Sequence, residues 1–230
     1  SWTNCDWICA MPDGAAKPGK KKDKYRQRQT EIFDTAAAVF AKKGYHGAST
    51  GDIAAELGIA QSSLYYYFKS KDEALEKVCL HSIKGYVERL QAIVANDLPA
   101  DVKIRDAIHN HIEPVNYIPD YFRTFVGELR YLPSNRRQKL NNMIAEYNAL
   151  FEQILADGVT DGFFIKALDC HSTMLMLIAQ CNTVPFWFGK FEHYSTDQLA
   201  NMLADNFLLG ALPRANELNS VLGEPPRITV

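Results

Sequence analysis

The sequence predicts an all-α chain of about nine helices, with an N-terminal three-helix head followed by a larger helical body. Three observations predict it. Apolar residues recur at spacings of three and four from Tyr25 onward, the period of a helix with one buried face. Pro99, Pro114, Pro119, Pro133 and Pro185 divide the later chain into segments of roughly 12–25 residues, the size of globular helices. No stretch alternates apolar with polar residues as a half-buried strand would, and no Asn-Gly hairpin turn occurs.

The elements follow in order. Residues 1–23 hold Pro12, Gly14, Pro18 and Gly19 and then a lysine cluster, without a sustained apolar period, and read as a disordered basic arm. Ile32, Phe33, Ala36, Ala37, Val39 and Phe40 mark the buried face of a helix from about Tyr25 to Lys43, which Gly44 ends. Ser49 or Thr50 caps a short helix that turns Ile53, Ala54 and Leu57 inward before Gly58 breaks it. A third helix runs from Gln61 to Phe68. Ser70 then serves as N-cap, with Glu73 in the first turn, for a long helix beginning near Asp72.

Further on, Leu140, Ile144, Tyr147, Phe151 and Ile154 form one apolar stripe, with Gly158 and Gly162 as its terminators. Two late helices, about Lys166–Val184 and Thr196–Leu212, are apolar around more of their circumference than a single core-facing stripe requires. Pairing with a twofold copy in a four-helix bundle is the expected outcome. The resulting division is an arm at 1–23, a head at 24–72, a body at 73–212 and a tail at 213–230.

Composition sets bounds on function. With 230 residues, 47% of them apolar and 23% charged, the chain has enough material for a packed core and is not a disordered or low-complexity sequence. The longest apolar run of the second half, Met174 to Ala179, is far shorter than the roughly 18–20 residues of a membrane span. The start at Ser1 lacks an apolar signal core, and a cytoplasmic protein is the expectation. Cys5, Cys9, Cys79, Cys170 and Cys181 are odd in number and scattered, which suits free thiols rather than a disulfide framework; Cys5 and Cys9 lack the second Cys/His pair of a zinc site.

A net charge of −2 seems to argue against nucleic acid, but its distribution does not. Lys17 to Lys71 holds eleven basic and five acidic residues, a net of +6, which leaves −8 for the rest of the chain. A basic head on an acidic body is the asymmetry of a DNA-binding module joined to a regulatory one. A solvated basic segment with no partner is the alternative that charge alone leaves open.

The stretch Thr50 to Phe68 separates these readings. Two short helices flank a tight turn containing Gly58, and Ala54 is small enough for their close approach. Ile53, Leu57, Ile59 and Leu64 pin the second helix to the first, leaving Gln61, Ser62, Ser63, Tyr65 and Tyr66 as short polar and aromatic groups on its open side. Glutamine makes a bidentate contact to adenine in the major groove, and serine hydroxyls adapt to several partners. An ordinary helical hairpin with a solvated face is the alternative.

With these motifs in order, Arg28 through Leu75 resembles the TetR family of bacterial transcriptional regulators, especially in Ile32…Ala36…Phe40…Gly44-Tyr45, Ile53-Ala54…Gly58-Ile59 and Leu64 to Asp72. The resemblance implies an all-α homodimer, usually a repressor, that leaves a palindromic double-stranded DNA operator when a small-molecule effector enters the body. By position it implies that Thr50 contacts phosphate, that Gln61, Ser62 and Ser63 approach bases, that Tyr65 and Tyr66 clamp the backbone, and that Lys71 touches a phosphate. Gly51 departs from relatives that carry a longer, DNA-reaching side chain there. Lys20, Lys21, Lys22, Lys24 and Arg26 offer a second contact, lying along a minor groove or only raising non-specific attraction.

Residues from about 85 to 212 are similar to members of that family that regulate lipid, sterol or aromatic-acid breakdown and answer acyl-CoA thioesters. The resemblance rests on Phe125 to Leu132, Tyr147…Phe151, Gly158, Gly162 to Phe164 and Asn182…Trp187-Phe188. It implies an apolar tunnel from Phe122, Phe125, Leu129, Tyr147, Met174 and Trp187, with Arg130 and also Arg123, Arg136 or Arg137 near its mouth for phosphates. Core packing is the alternative for each aromatic.

His109 and His111, two apart, project in different directions and chelate poorly, and His171 beside Cys170 suits burial or an interface. No metal or other cofactor is expected. Neither a Gly-rich phosphate loop nor a GxSxG elbow occurs, so an enzyme is not expected. An activator, a regulator answering redox at Cys170 or Cys181 or a protein partner, and a helical protein-binding scaffold remain the other readings.

Overall fold

A computed structural model describes residues 20–190 and 194–211, with side chains described over 24–190 and 194–210. Among these residues every element of regular structure is a helix. The helices are α1 (Lys20–Gly47), α2 (Thr50–Glu56), α3 (Gln61–Leu64), α4 (Lys71–Ala95), α5 (Ala100–Ile112), α6 (Pro119–Glu128), α7 (Ser134–Thr160), α8 (Cys170–Trp187) and α9 (Thr196–Ala211). Short 3-10 turns, Glu113–Asn116 and Leu129–Tyr131, flank α6.

The head forms because three helices share one apolar centre. Ile32, Ala36 and Phe40 of α1, Ile53 of α2, Leu64 of α3 and the following Phe68 are all essentially inaccessible. Gly44 adopts φ 70°, a left-handed conformation that glycine enters without steric cost, and this kink turns α1 toward α2. Ser49 caps α2 reciprocally: its Oγ accepts from the Asp52 N–H at 3.1 Å, while Asp52 Oδ2 accepts from the Ser49 N–H at 2.8 Å. Gly58, at φ 63°, makes the turn into α3. Ser70 caps α4 by accepting from the Glu73 N–H at 3.1 Å.

Four boundaries differ from the sequence reading. α1 begins at Lys20, so the last four residues assigned to the arm are helical; Ser1 to Gly19 and the tail beyond Ala211 lie outside the described residues. α3 is one turn long and gives way to a turn over Tyr65–Tyr67 instead of continuing to Phe68. Gly158 does not terminate α7 but lies buried inside it. A β-carbon there would stand 2.4 Å from the Phe164 ring and 2.7 Å from Ala100 Cβ, so the missing side chain makes room for a buried aromatic. Pro185 sits within the last turn of α8, which runs on to Trp187.

In the body, α4 and α7 pack along their length, α5 crosses them, and α8 and α9 cover α5 and α7. Leu90, Ile104, Ile108, Ile112, Phe151, Ile154, Leu155 and Phe164 fill its interior. α6 packs on α4 and α8 of this bundle and also lies against α1 of the head. Thr124 Oγ1 donates to the Ala37 carbonyl at 3.0 Å, and the Tyr121 hydroxyl donates to Asp34 Oδ1 at 2.8 Å. The head is therefore held both by α4, which runs straight out of it, and by α6.

Candidate nucleic-acid interface and buried cavity

Ser62, Ser63, Tyr65 and Tyr66 are exposed together on the open side of α3 and the turn after it. Tyr66, 74% accessible, stands furthest out. Gln61 and Thr50 belong to the same surface and are joined, Gln61 Nε2 donating to Thr50 Oγ1 at 2.8 Å. That bond fixes the glutamine at the start of α3 and leaves its carbonyl oxygen beside Gly51. A β-carbon at Gly51 would meet Ser49 Oγ at 3.5 Å and Gln61 Oε1 at 3.9 Å, ordinary contacts, so packing does not demand the glycine.

The basic start of α1 is fastened beside this surface by aromatic contacts. Tyr25 stacks on Tyr67, with ring centroids 6.0 Å apart, and meets Tyr66 edge-on at 6.0 Å. Lys24 next to it is exposed and Arg26 half-buried. The backbone of Lys20, Lys21 and Lys22 continues the same helix. These five basic groups thus share a helix running past the tyrosines, where the sequence suggested an arm.

Lys71 has partners within the head: its ammonium donates to the Tyr45 carbonyl at 2.8 Å and lies 4.4 Å from the centre of the Tyr45 ring. The partner is 26 residues away and invisible to local motif reading. Lys69, which motif reading passed over, is the exposed cation at this edge. Lys43 forms an ion pair with Asp52 at 2.6 Å, and that lysine together with the Ser49 hydroxyl and amide holds the Asp52 carboxyl down at about 2.

In the body, Phe122, Phe125 and Tyr147 come together. They line a cavity of about 80 Å³ between α4, α5, α6, α7 and α8, with Ser82, Ile83, Tyr86, His111, Ile144, Asn148, Ile178 and Asn182 completing it. Effector pockets usually measure about 300–1,000 Å³, so this cavity is closed down around its walls. Met174, buried in the core, and Leu129, in the turn after α6, are not among its lining residues. Arg130 is exposed over the Tyr131 ring. Arg136 pairs with Glu76 at 2.6 Å, and Arg137 donates to the carbonyls of Leu132 and Arg130, so both guanidiniums have partners within the protomer. Arg123 donates to the Pro185 carbonyl at 3.2 Å with much of its side chain exposed.

His111 is the cavity's unforeseen member. Its Nδ1 lies 2.8 Å from the Tyr147 hydroxyl and its Nε2 lies 3.1 Å from Asn182 Oδ1. The amide oxygen only accepts, so Nε2–H donates to it and Nδ1 accepts from the tyrosine. Burial pushes the imidazole down to about 4, keeping it neutral. Its partners stand 36 and 71 residues away, and no local signal announces them.

Trp187 lies elsewhere, in an apolar groove between α8 and α9 of about 530 Å³, with Ala179, Leu199, Met202 and Leu203. Leu175, Met176, Phe186 and Leu209 are exposed on these two helices. His171 is exposed, 3.1 Å from Glu152, and so is not buried within the protomer. Burial pushes the Cys79 and Cys181 thiols up to about 12, and burial raises Cys170 as well, which disfavours the thiolate form of each. Among the described residues no helix is long and apolar enough to cross a membrane.

Comparison with known proteins places this geometry. Residues 32–78 match the family described as bacterial regulatory proteins, tetR family, and residues 97–211 match the tetracyclin repressor-like C-terminal domain. The chain is 27% identical over 194 residues to a fatty acid metabolism regulator protein of Bacillus subtilis (strain 168), covering 83% of this chain and 97% of that one. It is 30% identical over 166 residues to the HTH-type transcriptional repressor KstR2 of Mycolicibacterium smegmatis, covering 69% and 74%. The crystal structure of FadR from Bacillus subtilis in complex with stearoyl-CoA superposes with a TM-score of 0.67 at 25% identity, over 79% of this chain and 98% of that one. The ketosteroid regulator KstR2 of Mycobacterium tuberculosis superposes with a TM-score of 0.75 at 20% identity, over 81% and 96%, a likeness of fold. With both halves matched, the helix-turn-helix and the helical body belong together: the chain is a member of the tetR family of bacterial transcriptional regulators.

Proposed function

We propose that the protein is a dimeric repressor that holds a palindromic operator through its two heads and releases it when a hydrophobic CoA thioester enters the α4–α7 cavity. One observation carries the reading: α6 is shared between the cavity and the head. Phe122 and Phe125 line the cavity, while Tyr121 and Thr124 of the same helix are bonded to α1. A ligand larger than about 80 Å³ displaces side chains of the wall, with Phe122 and Phe125 among them, and a shift of α6 is passed to α1 through the Tyr121 and Thr124 bonds.

On DNA, Gln61, Ser62 and Ser63 face base edges in the major groove, with Tyr65, Tyr66, Thr50 and Lys69 on phosphates and Lys20, Lys21, Lys22, Lys24 and Arg26 beside them. The exposed apolar surface of α8 and α9 meets a twofold copy, which sets the heads about 34–36 Å apart, one turn of DNA. The −8 carried outside the head turns every other face away from the phosphates. Support for a CoA thioester comes from the stearoyl-CoA complex of the Bacillus subtilis relative and from the apolar walls here. Arg123 and Arg130 are the exposed cations on and beside α6 for its phosphates. The protein acts by binding, in the cytoplasm, and returns the thioester unchanged.

Gel-shift titration of genomic fragments tests the DNA reading. Cooperative retention of fragments sharing a palindrome supports it, and retention without shared sequence contradicts it.

A further inference from the structure

We infer that the effector carries a hydrogen-bond acceptor oxygen, a ketone or hydroxyl, on the part that packs against Tyr86 in the cavity wall. The inference refines the thioester reading above by naming what the acyl group must bear.

It rests on an accounting of donors in the cavity wall. The Tyr147 hydroxyl is spent on His111 Nδ1, and the His111 Nε2 proton is spent on Asn182 Oδ1. The Tyr86 hydroxyl, in the same cluster, has no hydrogen-bond partner among the described residues. Its ring lies 5.6 Å from His111, 6.0 Å from Phe122 and 6.2 Å from Tyr147, centre to centre, so it is built into the wall. The Arg89 guanidinium stands 5.0 Å from its ring centre and helps fix that ring. Burial keeps the phenol protonated, so what it offers is a donor. Ser82, also buried, lines the cavity one turn earlier on α4.

A saturated chain filling this space would leave the Tyr86 donor buried and unsatisfied, whereas a ketone oxygen there accepts from it. Sites built to hydrogen-bond a substrate group reject analogues that lack it far more strongly than apolar pockets reject an added methylene. A preference of about tenfold or more follows.

The test compares decanoyl-CoA with 9-oxodecanoyl-CoA, and 2-octanone as a free ketone, on the wild-type chain and on Tyr86→Phe. Affinities are read by calorimetry and operator release by fluorescence anisotropy. The expected result is about tenfold tighter binding of the oxo-thioester by wild type, with Tyr86→Phe abolishing the preference while binding decanoyl-CoA at least as well. The wild-type ratio stands even where the variant folds poorly. Equal binding and release by both thioesters overturns the inference and leaves the thioester reading intact. Failure of both thioesters, with 2-octanone bound about tenfold more weakly by Tyr86→Phe, sustains the inference and overturns the thioester reading. No discrimination with any of the three probes overturns the inference.

Discussion

The Tyr45 amide of the head donates to Glu128 Oε2 of the body at 2.6 Å, across 83 residues of sequence. Tyr45 directly follows the Gly44 kink, and Glu128 is the last residue of α6. The Tyr45 hydroxyl also donates to Asp72 at the start of α4, and its carbonyl accepts from Lys71. One residue thus ties the kink of α1 to both helices that connect head and body. These bonds reach α4 through Asp72 and Lys71 and α6 through Glu128.

Glu128→Ala leaves the Tyr45 amide without its partner, a loss of about 1–3 kcal/mol. The expected outcome is a head that melts earlier and an operator affinity that responds less to effector. Urea denaturation and paired operator titrations, with and without thioester, check it. An unchanged ratio of the two operator affinities would remove Glu128 from the coupling.

Lys69 and Lys71 are expected to separate in their effects. Lys69→Ala should lower the slope of log K against log salt by about 0.9, one phosphate contact. Lys71→Ala should leave that slope alone and cost about 1 kcal/mol of stability through the lost bond to the Tyr45 carbonyl. The reverse pattern would return the phosphate role to Lys71.

Much of the head is legible because its determinants are local. Ser49 and Asp52 are three residues apart, Ser70 and Glu73 likewise, and Gly44 and Gly58 sit where the backbone turns left-handed. The exposed Gln61 to Tyr66 surface follows from the same periodicity. What escapes reading is set by distant partners: Tyr45 for Lys71, Tyr147 and Asn182 for His111, Phe164 and Ala100 for Gly158. Aromatic content signalled a cavity in the body, but Trp187 and Met174 carry the same apolar signature as Phe122 without lining it. Local sequence does not say which face of a fully apolar helix looks inward.

Gly158→Ala forces a methyl group into Phe164 and Ala100 inside a packed core. Overpacking of this kind costs about 1–3 kcal/mol, several degrees in Tm. Calorimetry of the variant checks it. A neutral result would show that Phe164 has room to move.

His111 makes stability fall on acidification. Its folded value, about 4, lies below the ordinary 6.5, so the unfolded chain takes up the proton first. The contribution is complete above pH 6.5 and is lost as pH falls toward 4, on the order of 2–4 kcal/mol. Denaturant titrations at pH 7, 6, 5 and 4 should show a steeper decline for wild type than for His111→Gln, which does not titrate. Parallel curves would contradict the assignment.

Met176→Glu places a charge on the exposed apolar surface of α8, where a twofold copy is expected to sit. Sedimentation at micromolar concentration should show a dimer for wild type and a monomer for the variant, with cooperative operator binding lost. A wild-type monomer would remove the paired-head geometry.

If occupancy of the α4–α7 cavity governs the grip on DNA, operator affinity with and without a bound long-chain CoA thioester reads that coupling directly. Binding is established by calorimetry on the same samples. The account predicts a 5–150-fold weakening at saturation, a coupling of about 1–3 kcal/mol. An operator dissociation constant that stays the same while the thioester is demonstrably bound would contradict it.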